Sequence, residues 1–307
     1  MSSQRRVSVI VPAFITSPRH AALLDETLQT VATQTVQPFE VIVVDDGSLL
    51  DLASVVTTPF TRLVKQANTG CAVARNTGIR ASGGDFFVFL DADDHLLPGA
   101  IEAGLRAFDE HPESGFVVGP REEMTYEGGP VPWPVPAAPR ETRLYYRLLG
   151  FDWYIIPPSS VMFRRQAVEA VGGFRDPWGA DDLDFYLEVA RRYPGWCYDG
   201  PAVTRYRRYS TSSSRDGERM LRSIRMVYAR QWPYVQGDPA GEAAFRRGLD
   251  RLEQIFRECL VENVEDRVRM REWRRAMRSA ALLACEAPRR LPTALGRAAR
   301  ARKRVMN

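Results

Sequence analysis

Short apolar runs alternate with amphipathic segments along the first part of the chain. Runs rich in β-branched and aromatic residues favour buried strands, and they lie at Val7–Val11, Phe39–Val44, Arg62–Val64 and Asp85–Leu90. Helical spacing predicts helices between them, at Ala21–Thr33 and Cys71–Ala81. This alternation predicts an α/β fold in which a mostly parallel sheet is flanked by helices, with ligands bound beyond the carboxyl ends of the strands.

The pattern changes near residue 210. From there, long arginine-rich segments with helical spacing carry almost no strand signal. We therefore predict an α/β domain at 1–210 and a helical region at 211–307. No run of about 18 apolar residues occurs in either part, so no membrane span is predicted.

Acidic residues follow the run that ends at Leu90, in the sequence FLDADD. Asp91 and Asp93 are two positions apart, so in an extended chain their side chains project to the same side. Crowded carboxylates favour either a bound divalent cation or a raised pKa, and a cation is the simpler interpretation. A calcium loop of the EF-hand type is disfavoured because His95 and Leu96 stand where that loop needs Asp or Asn and then Gly.

A second acidic strand end lies upstream, in the sequence EVIVVDDGS (40–48). Its Asp45 and Asp46 follow a strand that we expect to neighbour the first, and two acidic strand ends side by side indicate a shared ligand. The alternative is that Asp45, Asp46 and Ser48 only form Asx-type turns around Gly47.

Composition narrows the class of protein. The 307 residues are 45% hydrophobic and 26% charged, as is typical of a globular chain. The four cysteines form no C-x-x-C pair and only three histidines are present, so neither a disulfide framework nor a zinc site is predicted. A reducing cytoplasm is the expected location.

The net charge of +4 hides an uneven distribution. From Arg267 onward the sequence holds thirteen Lys and Arg against two Glu, so the rest of the chain is net negative. An apolar series recurs at helical spacing in this basic tail, at Met270, Trp273, Met277, Ala280, Ala281 and Ala284. Such a helix either lies on the anionic inner face of a membrane as a peripheral attachment, or packs its apolar stripe on the α/β domain. Nucleic acid is not an expected partner, because the charge lacks a recognisable nucleic-acid-binding fold.

Five motifs occur in an order and spacing that resemble the family 2 glycosyltransferases of the GT-A fold. They are VSVIVPAF (7–14), EVIVVDDGS (40–48), NTGCAVARNTGI (68–79), FLDADDHLLP (89–98) and GGFRDPWGADDLDFYLEVARR (172–192). The resemblance covers roughly the first 205 residues. It implies a GT-A, Rossmann-like sheet and an inverting transfer of sugar from a nucleotide-diphosphate donor, with UDP as the expected nucleotide. Such enzymes act on glycan or lipid-linked acceptors in the synthesis of cell-surface polysaccharides and glycoconjugates.

The resemblance also implies roles for individual residues. Those expected to hold the nucleotide are Pro12, Ala13, Phe14, Asp45, Asp46, Arg75 and Asp91. Asp93 and Asp91 match the metal contacts, with Asp93 nearest the ion. Mg²⁺ or Mn²⁺ held by one or two carboxylates and phosphate oxygens would neutralise the diphosphate as the glycosyl bond breaks.

A base is needed to remove the proton of the acceptor hydroxyl, and Asp182 matches this position. The family's usual pair here is Glu-Asp, and this chain has Asp181-Asp182. Apolar spacing after Asp182 predicts a helix with the acids in its first turn, where the helix dipole favours negative charge. Helix capping alone is therefore the alternative role of these acids.

Two departures from the family pattern narrow the expectation. Many relatives place a metal-binding histidine after the last strand of the domain, where this chain has Tyr209. The Q-x-x-R-W motif of processive synthases is absent, so we expect transfer of one sugar per encounter.

Aromatic residues in the segment 145–165 indicate a wall for the acceptor or simple core packing. Trp153 and Trp178 are the candidates for acceptor contact.

Two other functions fit parts of the pattern. A phosphatase of the haloacid-dehalogenase type also places D-x-D after an apolar strand, but near the N-terminus and with Thr or Val where this chain has His95. A degenerate sugar-nucleotide fold that binds a membrane or partner without catalysis is the non-enzymatic alternative, favoured by the missing histidine.

Overall fold

The computed structural model describes residues 5–132, 137–175, 179–209 and 213–306. The chain divides into two compact units. The first runs to Tyr209 and leaves out two short segments, 149–152 and 178–180. Those segments belong with residues 210–307 in the second unit.

The first unit is built on two sheets. Its strands are β1 (Val7–Ala13), β2 (Glu40–Asp46), β3 (Thr61–Gln66), β4 (Phe86–Phe89), β5 (His95–Leu96), β6 (Phe116–Val118), β7 (Arg121–Met124), β8 (Pro130–Val131), β9 (Val161–Arg164), β10 (Gly195–Cys197) and β11 (Thr204–Arg207). In the described residues, seven strands form the larger sheet in the order β10-β6-β9-β4-β1-β2-β3. A smaller sheet has the order β5-β11-β7-β8.

Helices cover the larger sheet and make up the second unit. They are α1 (Pro18–Ala32), α2 (Cys71–Ala81), α3 (Ala100–Glu110), α4 (Tyr145–Leu149), α5 (Arg165–Val171), α6 (Asp181–Arg192), α7 (Gly217–Val235), α8 (Pro239–Arg269), α9 (Trp273–Glu286) and α10 (Leu291–Met306). The predicted fold class, a mostly parallel sheet flanked by helices and followed by a helical region, is confirmed.

Strand β9 is the antiparallel member of the larger sheet. It lies between β4 and β6 and pairs antiparallel with both, whereas β1, β2, β3 and β4 are parallel to one another where they pair. Strands β1 and β2 continue two residues beyond their apolar runs, because their ladder extends to the pair Ala13 and Asp45. The carboxyl ends of β1, β2 and β4 therefore meet at one edge of the sheet, where the acidic motifs lie.

Helix α2 packs unusually close to strand β1. A Cβ atom placed on Gly78 would lie 2.3 Å from Cγ2 of Ile10, so only glycine permits this approach. Ala74 on the same helix packs with Ile42 and Val44 of β2. The small residues Ala74 and Gly78 thus allow α2 to pack close to the sheet. This close packing determines the positions of the other side chains of α2.

The second unit is helical, with α8 packed against α7, α9 and α10. At the crossing of α7 and α8, Gly248 leaves room for the hydroxyl group of Tyr228, which donates a 2.6 Å hydrogen bond to the carbonyl oxygen of Leu149. Among the described residues, the long helices are too polar for any of them to span a bilayer.

Candidate functional site

The D-x-D motif lies in the turn between β4 and β5. The hydroxyl group of Tyr209 donates a 2.8 Å hydrogen bond to Oδ2 of Asp93, and Nε of Arg207 donates a 2.7 Å bond to the Asp93 carbonyl oxygen. Burial raises the pKa of Asp93, and the neighbouring charge of Asp91 raises it further. A cation placed at this turn would offset that repulsion.

Asp94 holds the same turn from inside the protein. Its side chain is fully buried, and Oδ1 accepts a 2.8 Å hydrogen bond from the backbone N–H of Arg207. Oδ2 has no partner, and burial raises the pKa of Asp94 well above its usual range. Asp94 therefore ties the turn to β11, and Asp91 and Asp93 are left as the carboxylates of the site.

Arg75 joins three elements of the site. From α2, its guanidinium group donates a 2.7 Å bond to Oδ1 of Asp91 and a 2.6 Å bond to Oδ2 of Asp181. The Arg75 side chain is only 5% exposed and stands over the ring of Phe174, 5.2 Å from its centre. One buried arginine therefore connects the turn that carries the D-x-D motif to the first turn of α6.

Asp182 is the adjacent residue in that turn. Burial raises the pKa of Asp182 to about 7, the charge of Asp181 adds to this effect, and Arg75 opposes it. The Asp182 carboxylate accepts a 2.7 Å bond from the N–H of Leu183. A carboxyl group with this pKa can hold or release a proton near neutral pH.

Tyr186 lies one helical turn after Asp182. Its side chain is buried and its hydroxyl group has no hydrogen-bond partner. Burial and the charge of Asp182 raise the pKa of Tyr186, so the hydroxyl keeps its proton and is available as a donor.

The ends of β1 and β2 form a second part of the site. Pro12 and Ala13 are buried, whereas Phe14 is 49% exposed. Oδ1 of Asp45 accepts a 2.8 Å bond from the N–H of Ser48, and Ser48 Oγ accepts one from the N–H of Ile15. The Asx-type turn that the sequence left open is present at Asp45.

Asp46 organises the loop that leads into α2. Its carboxylate accepts 2.9 Å bonds from the N–H groups of Thr69 and Gly70 and a 2.7 Å bond from the side chain of Gln66. Asp46 thereby fixes the segment before Cys71, the first residue of the helix that carries Arg75.

The structure thus brings Asp91, Asp93, Arg75 and Asp182 to one edge of the sheet. Sequence reasoning missed the bond between Arg75 and Asp181, which are 106 positions apart, and the role of Arg207. It also missed that Tyr209, where a histidine was expected, contacts Asp93 directly. The nucleotide-binding roles of Pro12, Ala13, Phe14, Asp45 and Asp46 remain predictions.

The donor set suits a hard cation that keeps part of its coordination for a substrate. Among the described residues, no group of three or more His, Cys, Asp or Glu side chains could enclose a metal ion. Asp91 and Asp93 offer two carboxylates, and Mg²⁺ or Mn²⁺ takes its other ligands from phosphate and water in sites of this kind. Asp91 and Asp93 therefore fit a hard divalent cation as two of its ligands.

The aromatic candidates for acceptor contact have different outcomes. Trp153 is 7% exposed, so packing accounts for this residue. Trp178 lies outside the described residues.

Sequence comparisons place the first unit among glycosyltransferases. The family described as Glycosyl transferase family 2 matches residues 8–172, more than half of the chain. An uncharacterized glycosyltransferase of Haemophilus influenzae is 36% identical over 125 residues, 40% of this chain and 41% of the relative. An uncharacterized protein of Mycobacterium tuberculosis is 30% identical over 206 residues, 61% of this chain and 62% of the relative. The chain therefore spans less than two thirds of the length of these relatives.

Solved structures share the fold over nearly the whole chain. S. aureus TarS 1–349 in complex with UDP-GlcNAc is similar with a TM-score of 0.68 at 18% identity, covering 98% of this chain and 90% of TarS. The complex of the same TarS region with UDP has a TM-score of 0.63. At this identity the likeness describes the fold.

Proposed function

The chain belongs to glycosyl transferase family 2, and we propose that it transfers a single sugar from a UDP-sugar to a hydroxyl group of a glycan or lipid-linked acceptor. The observation that carries the proposal is the convergence of Asp91, Asp93, Arg75 and Asp182 at one edge of the sheet. A similar fold in S. aureus TarS holds UDP-GlcNAc. Synthesis of a cell-surface polysaccharide or glycoconjugate in the cytoplasm is the setting that we propose.

On the donor side, Asp93 and Asp91 would hold Mn²⁺ or Mg²⁺. When bound there, the ion would supply positive charge that stabilises the diphosphate leaving group. Tyr209 orients the Asp93 carboxylate through its hydrogen bond, and Arg75 orients Asp91. The exposed ring of Phe14 and the neighbouring strand ends are the proposed seat of the nucleotide base.

On the acceptor side, Asp182 is the proposed base. A bond forms between the acceptor oxygen and the anomeric carbon, the bond from that carbon to the diphosphate breaks, and the proton passes to the Asp182 carboxylate. The diphosphate leaves with the electron pair. Attack from the face opposite the leaving group inverts the anomeric configuration, and no covalent carboxylate nucleophile is required.

The alternatives lose their support at particular residues. Membership of family 2 replaces the haloacid-dehalogenase interpretation, which would make Asp91 a nucleophile; here Asp91 accepts a hydrogen bond from the buried Arg75. The non-catalytic alternative was favoured by the absence of a histidine, yet Tyr209 occupies that place with a direct contact to Asp93.

Calorimetric titration with a panel of nucleoside diphosphates, with and without Mn²⁺, tests the donor site. We expect one diphosphate to bind in a metal-dependent manner and Asp93→Ala to abolish that dependence. If no nucleotide binds under either condition, the proposed function is wrong. Product analysis by nuclear magnetic resonance then tests whether the configuration at the anomeric carbon is inverted.

A further inference from the structure

Helix α9 has an exposed apolar strip next to its packed face. The strip consists of Met270, just before the helix, and of Trp273 and Met277 within it. The exposed fractions of these three residues are 57%, 46% and 67%, in that order. The residues of α9 that are buried are instead Ala276, Ser279 and Leu283. The apolar spacing seen in the sequence therefore divides into two faces, and the Trp273 strip is the outer one.

Arginines lie along the border of this strip. At about 100° per residue, Arg274 and Arg278 follow Trp273 and Met277 around the helix on the side away from the buried face. Of these two, Arg278 forms an ion pair with Glu218 of α7. Arg271 stands two residues before the helix and is exposed. Apolar and cationic side chains thus share one outward surface.

The arginines of the two ends of the second unit differ in their partners. Those of α7 and α8 are largely paired, as in Arg225 with Glu253 and Glu286, or Arg246 with Glu242. By contrast, several arginines from residue 271 onward form no ion pair with any carboxylate in the described ranges; these are Arg271, Arg274, Arg289, Arg297 and Arg300. Arg271 and Arg274, which stand beside the Trp273 strip, therefore carry positive charge with no carboxylate partner among the described residues.

We infer that the Trp273 strip and the arginines bordering it form a docking surface for an anionic phospholipid bilayer. Trp and Met side chains gain free energy by entering the boundary between head groups and acyl chains, and arginines pair with lipid phosphates there. A soluble polyanion would engage the arginines but leave the apolar strip in water. A second copy joined across a twofold axis would bring the same unpaired arginines together, which like-charge repulsion disfavours.

This surface is independent of the transfer reaction, because none of its residues contributes to the candidate active site. The arrangement combines apolar side chains with basic ones, and the membrane binding of an interfacial helix depends on both its buried apolar area and its attraction to anionic lipids. A membrane-bound enzyme would meet a lipid-linked acceptor in two dimensions.

Vesicle co-sedimentation of the full chain tests the inference directly. Vesicles of phosphatidylcholine alone are compared with vesicles containing about a third phosphatidylglycerol, at low and high salt. Arg271→Gln/Arg274→Gln removes unpaired charge, and Arg246→Gln/Arg247→Gln is its matched control, since it removes the same charge from paired, exposed arginines of α8. Trp273→Ser/Met277→Ser removes the apolar contact, with Val36→Ser, an exposed apolar residue of the first unit, as control.

The unmodified chain should bind the anionic vesicles in a salt-sensitive manner. We expect Arg271→Gln/Arg274→Gln to weaken the partition coefficient about 10- to 30-fold, and Trp273→Ser/Met277→Ser to weaken it about tenfold or more. Both controls should bind like the unmodified chain. All four variants change exposed side chains, and circular dichroism checks that they fold.

Three results would overturn the inference. The first is absence of binding to anionic vesicles. The second is an equal loss in the arginine variant and its control, which would mean that only net charge matters. The third is a concentration-dependent dimer, seen by light scattering, that Trp273→Ser/Met277→Ser dissociates; a second copy would then cover the strip.

Discussion

The hydroxyl group of Tyr209 donates a 2.8 Å hydrogen bond to Oδ2 of Asp93. This bond lowers the pKa of Asp93 against the effect of burial and fixes the direction of the carboxylate. Tyr209→Phe should therefore weaken Mn²⁺ binding about tenfold in the presence of UDP, while Tyr209→His, which supplies an imidazole ligand, should strengthen it. Titration of Mn²⁺ followed by electron paramagnetic resonance measures both. Tighter binding by Tyr209→Phe would show instead that the hydroxyl competes with the ion.

Asp182 is predicted to carry the proton transfer. Asp182→Asn keeps the shape of the side chain but removes its basicity, so kcat should fall by about 10²- to 10⁴-fold with donor affinity unchanged. Turnover measured by nucleotide release, together with donor calorimetry, separates the two quantities. Asp25→Asn changes an exposed aspartate of α1 and serves as the matched control. Undiminished turnover in Asp182→Asn would assign the base to another group.

The pH dependence of activity should follow the same carboxyl group. Since burial raises the pKa of Asp182 to about 7, kcat/KM should fall about tenfold per pH unit below neutrality and level off above it. A pH profile recorded with saturating Mn²⁺ checks this. An acidic limb with its midpoint near pH 4 would be inconsistent with the environment of Asp182.

The raised pKa of Asp182 should also make the stability of the folded chain depend on pH. The pKa of Asp182 is raised in the folded chain from a usual value of 3.8, so the folded state retains its proton as pH rises from about 4 to about 7. The stability that the protonated Asp182 contributes to the folded chain is present in full below pH 4 and is lost as the pH rises through about 7. Asp182→Asn should therefore have a higher Tm than the unmodified chain at pH 8 and an equal Tm near pH 4.

Arg75 should not tolerate replacement by lysine. Its planar guanidinium group reaches Asp91 and Asp181 at once, and a single ammonium group cannot reproduce that geometry. With the Arg75 pairs buried, Arg75→Lys should lower the free energy of unfolding by about 3 kcal/mol and weaken UDP binding. Chemical denaturation and calorimetry measure these effects. Arg80→Lys, an exposed position on the same helix, should leave both quantities unchanged.

Two glycines of the second unit should respond in opposite directions to alanine. A Cβ atom on Gly248 would lie 2.2 Å from the Tyr228 hydroxyl oxygen and closer still to the Leu149 carbonyl, so Gly248→Ala should lower the free energy of unfolding by about 1–3 kcal/mol. Gly296 in α10 has only the end of Arg300 nearby, and Gly296→Ala should raise it by about 0.5–1 kcal/mol. Thermal unfolding compares the two. Equal responses would contradict the packing described for α7 and α8.

The elements that the sequence predicted are those whose signal is local. The apolar runs before Asp46 and Asp91 identified β2 and β4, and the spacing in 71–81 matched α2, because periodicity reports which side of an element is buried. The insertion of β9 between β4 and β6 could not be read in this way, since strand order depends on pairing between distant segments.

In the candidate site, too, features that are local in sequence could be predicted and contacts between distant segments could not. The D-x-D motif was visible because its two carboxylates are close in sequence. The connection from Asp91 through Arg75 to Asp181 was not, because it joins side chains from three separate elements. Arg207 gave no local signal either, and its contact with the Asp93 carbonyl exists only once β11 lies beside the turn.

The packing of Gly78 against β1 affects the position of Arg75 in the candidate site. Because its lack of a side chain sets the clearance between α2 and β1, it also sets how far Arg75, one helical turn earlier, extends over the strand ends. An added methyl group at Gly78 would push the helix away from the strand and withdraw the Arg75 guanidinium group from both aspartates. Gly78 therefore controls the geometry of a site that it does not contact.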